Sequence, residues 1–126
     1  MLDSLKRNNT LRGLKKDIKS LNSIFLKLKS KKLIKNYFDT HSVTKLHLGS
    51  HRTLLEGWLC SDLIPQNNKS IFLDVTKKFP FEDHMFDYVC SEHLIEHLSQ
   101  ENGLFMLKEC YRVLKDNGRI RIATPD

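Results

Sequence analysis

FDYVCSEHLIEH, residues Phe86 to His97, carries the transition that sets the fold class. Phe86, Tyr88, Val89 and Cys90 form an apolar run broken only by Asp87, which reads as a buried strand. At Ser91 the character changes. Ser91, Glu92, His93, Glu96 and His97 follow within seven residues, with Leu94 and Ile95 between them. In an open α/β sheet, ligands bind in the crevice beyond the carboxyl ends of the strands. A strand that runs straight into two acids and two imidazoles therefore marks a candidate site.

Working outward, the chain repeats this pattern of short apolar runs with polar ends. Val43 to Leu48 reads as a first strand ending at Gly49-Ser50. Gly57 to Leu63 reads as a second, ending at Asp62. Pro65 to Lys69 is a polar turn, and Ser70 to Val75 is a third strand with Asp74 near its end. Lys77 to Met85 is a loop containing Phe79-Pro80-Phe81. Downstream, Ser99 is placed to cap a helix. Leu104, Leu107, Tyr111 and Leu114 mark that helix's expected buried face, and Asn117-Gly118 its expected end. Arg119 to Ala123 is a fifth strand. Met85, Met106 and Trp58 read as packing residues, and His41, His47 and His84 carry no pattern.

Residues 1–38 differ in kind. They hold eleven Lys or Arg against two Asp, a charge of +9, while residues 39–126 sum to −3. Any attraction to an anionic partner belongs to this first segment. Leu11, Leu14, Ile18, Leu21, Phe25 and Leu28 alternate spacings of three and four, which is one face of a helix. Lys31 and Lys32 interrupt the stripe before Leu33, Ile34, Tyr37 and Phe38, so two helices or a kinked one are expected. Three roles compete: a helix packed on the body through its leucine face, a basic amphipathic helix on a membrane surface, and a helix paired with another chain. Nucleic acid fits poorly, because no aromatic stacking series accompanies the charge.

At 126 residues the chain divides into a basic amphipathic helical extension, 1–40, and one small α/β domain, 41–126. No apolar run approaches the roughly 20 residues that cross a membrane, and the N-terminus has no signal-peptide h-region. The expected location is the cytoplasm, with membrane-surface contact through residues 1–38 as an option. Cys60, Cys90 and Cys110 are odd in number and far apart, and read as small core residues.

The strand ends gather on one edge of a parallel sheet, and each residue type has a use there. Glycine after the first strand admits a ligand close to the backbone. Asp62 can accept both hydroxyls of a ribose. Asp74 on the neighbouring strand can accept from an adenine amino group. The ordered set LHLGS (46–50), GWLCSDL (57–63), FLDVTKKFPFEDHMFDYVCSEHLIEHL (72–98) and ECYRVLKDNGRIRIATPD (109–126) resembles the class I S-adenosylmethionine-dependent methyltransferases. It looks most like a small subgroup found with surface-polysaccharide biosynthesis enzymes. The resemblance covers about residues 45–126. It implies a Rossmann-like, mostly parallel sheet ordered 3-2-1-4-5, with S-adenosylmethionine along the strand ends. Carried onto this chain, Gly49, Ser50 and His51 approach the methionine part of the donor. Asp62 and Leu63 hold the ribose, Asp74 and Val75 flank the adenine, and Ser91 and Glu92 sit near the methionine end and the acceptor. The resemblance further implies an O-methyltransferase acting on a small-molecule or glycan acceptor.

Two departures stand out. The family's donor loop has a second glycine where this chain has His51. The family's sheet continues by two strands past the TPD segment, whereas this sequence ends at Asp126. An incomplete class I fold is therefore expected, with an open sheet edge that a homo-oligomer would cover. The alternative function is a non-catalytic module that associates through its basic N-terminal helix. His93-Leu94-Ile95-Glu96-His97 also matches H-x-x-E-H, a zinc pattern when both imidazoles share a helix face. With little chain left for a third ligand, no metal is assigned. His93, Glu96 and His97 are read as catalytic, one imidazole as general base and Glu96 as its orienting partner.

Overall fold

The computed structural model describes residues 2–126, with side chains from Asn8 onward. Helix α1 (Leu2–Thr40) leads into strand β1 (Lys45–Leu48), then β2 (Leu59–Asp62), β3 (Ile71–Phe72) and β4 (Phe86–Glu92). A single 3-10 turn (Ile95–His97) precedes helix α2 (Gln100–Val113), which passes directly into β5 (Leu114–Ala123). The five strands form one sheet ordered β3-β2-β1-β4-β5. Every pairing is parallel. This is the α/β class and strand order expected from the sequence.

Register explains the two faces. Leu46 and Leu48 stand level with Leu59 and Ser61 on one side, and with Val89 and Ser91 on the other. These residues share one face, and that face is the core. Tyr37 from α1, Met106, Cys110 and Val113 from α2, and Phe79 and Phe81 from the β3–β4 loop close over it. His47 stands level with Cys60 and Cys90 on the opposite face, with Arg121 next to Cys90. Burial in this packing pushes the Cys110 thiol up to about 12, so it is an inert core residue.

The crossovers are unusual. A parallel pair normally needs a dozen or more connecting residues, most often a helix. Here residues 49–58 and 63–70 join successive strands with no helix, and residues 73–85 join β3 to β4 in the same way. The core face is sealed instead by the ends of other elements. The Tyr37 hydroxyl donates to the Gly57 carbonyl at 2.7 Å and accepts from the Lys45 N–H at 2.8 Å, tying α1 to β1 and to the β1–β2 loop. The Ser30 hydroxyl accepts from the Phe72 N–H at 2.8 Å, so α1 satisfies a donor of edge strand β3.

Four expectations need correction. Helix α1 is continuous through Lys31 and Lys32. Those lysines are exposed, and nothing about their position requires a break. Its leucine stripe does not pack on the body. Leu11, Leu14, Ile18, Leu21, Phe25 and Leu28 are all exposed, while the body is gripped through Ser30, Leu33, Ile34, Tyr37 and Phe38. Helix α2 buries Gly103, Met106, Glu109, Cys110 and Val113. Leu104, Leu107 and Tyr111 point outward, Tyr111 being 83% exposed. The same three-and-four spacing occurs one residue earlier, and the loop that α2 must hold selects it. The helix also ends at Val113, not at Asn117-Gly118, because Leu114 already has the extended backbone of β5. Ser99 caps α2 as expected, its hydroxyl accepting from the Asn102 N–H at 3.2 Å.

Arg112 is the anchor of the β3–β4 loop. Its guanidinium donates to Glu109 Oε2 at 2.5 Å, to the Phe81 carbonyl at 2.8 Å, to Asp83 at 3.0 Å and to the Phe79 carbonyl at 3.3 Å. Glu109 in turn accepts from the Phe79 N–H at 3.2 Å. Removing one member of a largely buried ion pair strands the other. Arg112→Ala is therefore expected to cost about 3 kcal/mol in chemical denaturation. Burial alone would raise the Glu109 carboxyl, but the hydrogen bonds from Arg112 and the Phe79 N–H outweigh it and hold it below the ordinary 4.5. A carboxyl lowered in the folded state stabilises above its unfolded value and loses that contribution as pH falls through the lowered one. Stability measured across the acid range should show this loss in the wild type, and Glu109→Gln should lack it.

Candidate active site

The site is built at the carboxyl ends of β1, β2 and β4. Strand order places β2 on one side of β1 and β4 on the other, so the β1/β4 boundary is the topological switch point of the sheet. Leu48, the last residue of β1, is level with Ser91 on β4 and with Ser61 on β2. Ser50 follows one turn residue later, its N–H donating to the Ser61 carbonyl at 2.9 Å. Ser61 is satisfied through its hydroxyl, which donates to the His47 carbonyl at 2.9 Å. The hydroxyls of Ser50 and Ser91 are buried and have no hydrogen-bond partner. Two such groups at adjacent strand ends are the pattern left where a polar ligand completes the network.

The loop after β1 follows a left-handed path at both Gly49 and the residue two positions on, which is not a glycine. Gly49 has φ +65° and His51 φ +50°, both in the left-handed region. The loop is held in that path by Asp62, whose Oδ2 accepts from the His51 N–H at 2.9 Å and whose Oδ1 accepts from the Ile64 N–H at 2.9 Å. The His51 side chain is directed into solvent. A side chain on Gly49 would meet Leu94 Cδ2 at 3.1 Å, so Leu94 from the opening stretch already lies across that glycine.

The structure brings Gly49, Ser50, His51, Asp62, Ser91 and Leu94 into one neighbourhood. Asp74 stands apart. It closes its own turn, accepting from the Thr76 N–H at 2.9 Å and the Thr76 hydroxyl at 2.7 Å. It lines a groove of about 830 Å³ between α1 and the β3–β4 loop, which Ile24, Leu28, Ile34 and Phe72 also line. Val75 is in the core, and Leu63 is exposed. Glu92 is turned to β5, where Arg121 grips it. Hydrogen bonding to Arg121 and its positive charge hold the Glu92 carboxyl below the usual range.

His93, Glu96 and His97 are all exposed beyond β4. His93 has φ +50°, and its N–H donates to the Ala123 carbonyl at 2.9 Å. Only Ile95–His97 is helical, and that as one 3-10 turn. The zinc reading of H-x-x-E-H fails on this geometry, since residues four apart share a face only on an α-helix. Among the described residues no three His, Cys, Asp or Glu converge as a metal site would require. His93 Nδ1 instead lies 3.6 Å from Glu96 Oε1.

Two site neighbours carry no signal in the sequence. Arg121 reaches Glu92 through the β4–β5 register, which becomes visible only when the strands pair. His47 is buried with Nδ1 unpartnered. Its burial lowers the imidazole's proton affinity, with the Glu92 carboxylate acting the other way.

A parallel sheet of this order, with its glycine loop, its second-strand acid and its polar switch point, defines a class I methyltransferase fold. The family model described as "Methyltransferase domain" matches residues 59–122, about half of the chain, and the chain belongs to that family. The match takes in Asp62, Asp74 and the whole of FDYVCSEHLIEH, and begins after the Gly49 loop. No curated protein matches the chain. Among the described residues, no helix is long and apolar enough to cross a membrane.

His51 in the left-handed region carries strain of about 1 kcal/mol. His51→Gly removes it, against some gain in the entropy of the unfolded chain. A net stabilisation of about 0.5 kcal/mol is expected, read as a rise in the urea midpoint at unchanged slope.

Proposed function

We propose that the chain transfers a methyl group from S-adenosylmethionine to an oxygen of a small-molecule or glycan acceptor. The observation that carries this reading is the pair of buried, unpartnered hydroxyls of Ser50 and Ser91 at the switch point, next to Asp62. Each Asp62 oxygen accepts one backbone N–H and retains a lone pair, which leaves capacity for ribose hydroxyls. Gly49, Ser50, His51, Ser91 and Glu92 then serve the methionine end and Leu63 the ribose, and the adenine extends toward the β3 end, where Asp74 and Val75 stand apart from these residues.

The donor, when bound, supplies an electrophilic methyl group. The chain's own task is to hold the acceptor oxygen in line and to take its proton. His93 is the base in this reading, oriented by the Glu96 carboxylate 3.6 Å from Nδ1, and His97 offers a second imidazole at the same rim. Leu94 across Gly49 favours one rival, a module of the same fold that associates without catalysis.

Calorimetry of the full chain with S-adenosylhomocysteine separates the two. Saturable binding is expected, and its absence from a folded chain leaves only the module. Ser91→Ala removes a buried hydroxyl that has no partner in the free protein. It should raise stability by about 1 kcal/mol and weaken S-adenosylhomocysteine roughly tenfold. A Ser91→Ala variant that binds as the wild type does would remove Ser91 from the donor site.

A further inference from the structure

A second cavity, of about 280 Å³, lies between α1 and the β2–β3 loop. Lys29 and Ser30 line it from the helix, Asn67, Asn68 and Ser70 from the loop, and Phe72 from β3. Ser70 immediately precedes β3, so the cavity lies toward that strand's amino end. It shares no residue with the neighbourhood of Gly49, Asp62 and Ser91 at the carboxyl ends.

Two polar side chains in its wall are unpaired. Ser70 is 3% exposed, and its hydroxyl has no hydrogen-bond partner. Asn67 Nδ2 is buried and has none either. Turning the Asn67 amide over would not help, because Oδ1 accepts from both the Lys69 and the Ser70 N–H at 2.9 Å. The reversed amide would set its protons against those two donors. Buried polar groups are almost always paired in native proteins. Two unpaired groups lining one cavity are the pattern that a polar ligand completes.

The chemistry of the free groups selects the ligand. Lys29 donates one N–H to Asn68 Oδ1 at 2.9 Å and keeps the rest of its ammonium protons. Asn67 keeps both amide protons. The Ser30 hydroxyl accepts from the Phe72 N–H, and its own proton has no acceptor among the described residues. Ser70 adds a hydroxyl that turns to suit an acceptor. The side-chain acceptors beside them are engaged, Asn67 Oδ1 by two amides and Asn68 Oδ1 by Lys29. A water would bring two protons of its own to groups that already donate. Acids are absent from both walls: α1 has none between Asp17 and Asp39, and residues 63–70 have none. Lys27, Lys29, Lys31, Lys32 and Lys69 lie on the same segments, which favours negative charge between them.

A tetrahedral oxyanion answers this set. It accepts in several directions at once, and its charge strengthens each bond. We propose that this cavity binds a phosphate group, free or as the monoester of a small alcohol. S-adenosylmethionine carries no phosphate, so this ligand is separate from the methyl donor. The cavity lies at the small end of the roughly 300–1,000 Å³ that hold drug-sized ligands, which suits a phosphate with a small substituent. Its donors come from α1 and from the loop, so the bound phosphate joins the helix to the body beside edge strand β3.

Calorimetry and thermal unfolding of the full chain test this, with sodium phosphate exchanged for chloride at constant ionic strength. Saturable binding with a dissociation constant of roughly 1 mM or tighter is expected, with a rise in Tm that follows it. Asn67→Asp keeps the oxygen that holds the loop and replaces the amide donor by a carboxylate oxygen. It should abolish phosphate binding. Ser70→Ala removes a hydroxyl that has no partner, so the free chain keeps its fold, and binding should weaken roughly tenfold. Lys16→Met removes a charge elsewhere on α1 and should leave binding unchanged. Competition with methyl phosphate identifies the source. Tighter methyl phosphate names a monoester, preference for the free ion names inorganic phosphate, and either upholds the site. A folded chain with no saturable binding at roughly 20 mM phosphate overturns the proposal. So does binding that survives Asn67→Asp and Ser70→Ala, or that falls as much with Lys16→Met, which is diffuse attraction of an adventitious ion only.

Discussion

Arg112 holds together what the short crossovers leave loose. With no helix in the first three connections, the core face depends on chain that has no regular structure of its own. Residues 73–85 are the longest such piece, and Phe79 and Phe81 are the parts of it that enter the core. Backbone in that position exposes carbonyls that need donors. One guanidinium supplies three of the needs at once, two carbonyls and the Asp83 carboxylate, and Glu109 returns an acceptor to the Phe79 N–H. The rotation of α2 follows from this clasp. Placing Glu109 and Arg112 over the loop turns Met106, Cys110 and Val113 inward and sends Leu104 and Tyr111 out.

The site follows from the register that this packing preserves. Because β1 stands level with β4 at Leu48 and Ser91, the buried hydroxyl of Ser91 and that of Ser50, two residues past Leu48, both fall at the carboxyl ends of the strands that flank the switch point. Asp62 does two jobs there. It fixes the loop carrying Gly49 and His51, and it keeps acceptor capacity toward the crevice. His51 keeps a left-handed backbone while the Asp62 carboxylate accepts from its amide. Glu92 shows a neighbouring charge used differently, as a tie to β5 through Arg121.

Much of this was legible in the chain. The five strands, their polar ends and the cap at Ser99 each rest on local rules: apolar runs, turn residues and a side chain that can reach its own backbone. Ser50, Asp62 and Ser91 were legible as strand-end residues because each ends an apolar run. The failures share one cause. The stripes on α1 and α2 are real periodicities, but periodicity says only that a face exists. On α2 two overlapping stripes competed, and a long-range ion pair chose between them. On α1 the stripe faces away from the body, because Tyr37 and Ser30 commit the helix through another side. Arg121 and His47 were invisible for a related reason, since their neighbours come from strand pairing.

By itself, then, the sequence determined the alternation of strands, the residues placed at their carboxyl ends and the division between a basic helix and an acidic body. Those properties follow from side-chain chemistry within a few residues. Tertiary structure alone decided which face of each helix is covered, which acids are engaged by backbone amides and which hydroxyls are left without partners. Each of those depends on groups distant in the chain arriving at hydrogen-bonding distance, and FDYVCSEHLIEH shows the difference within twelve residues. Its apolar half is strand β4, as its run of apolar residues predicts. Of its polar half, Ser91 and Glu92 continue β4, and the rest is a loop and a 3-10 turn with His93 tied to Ala123 of β5 beside it.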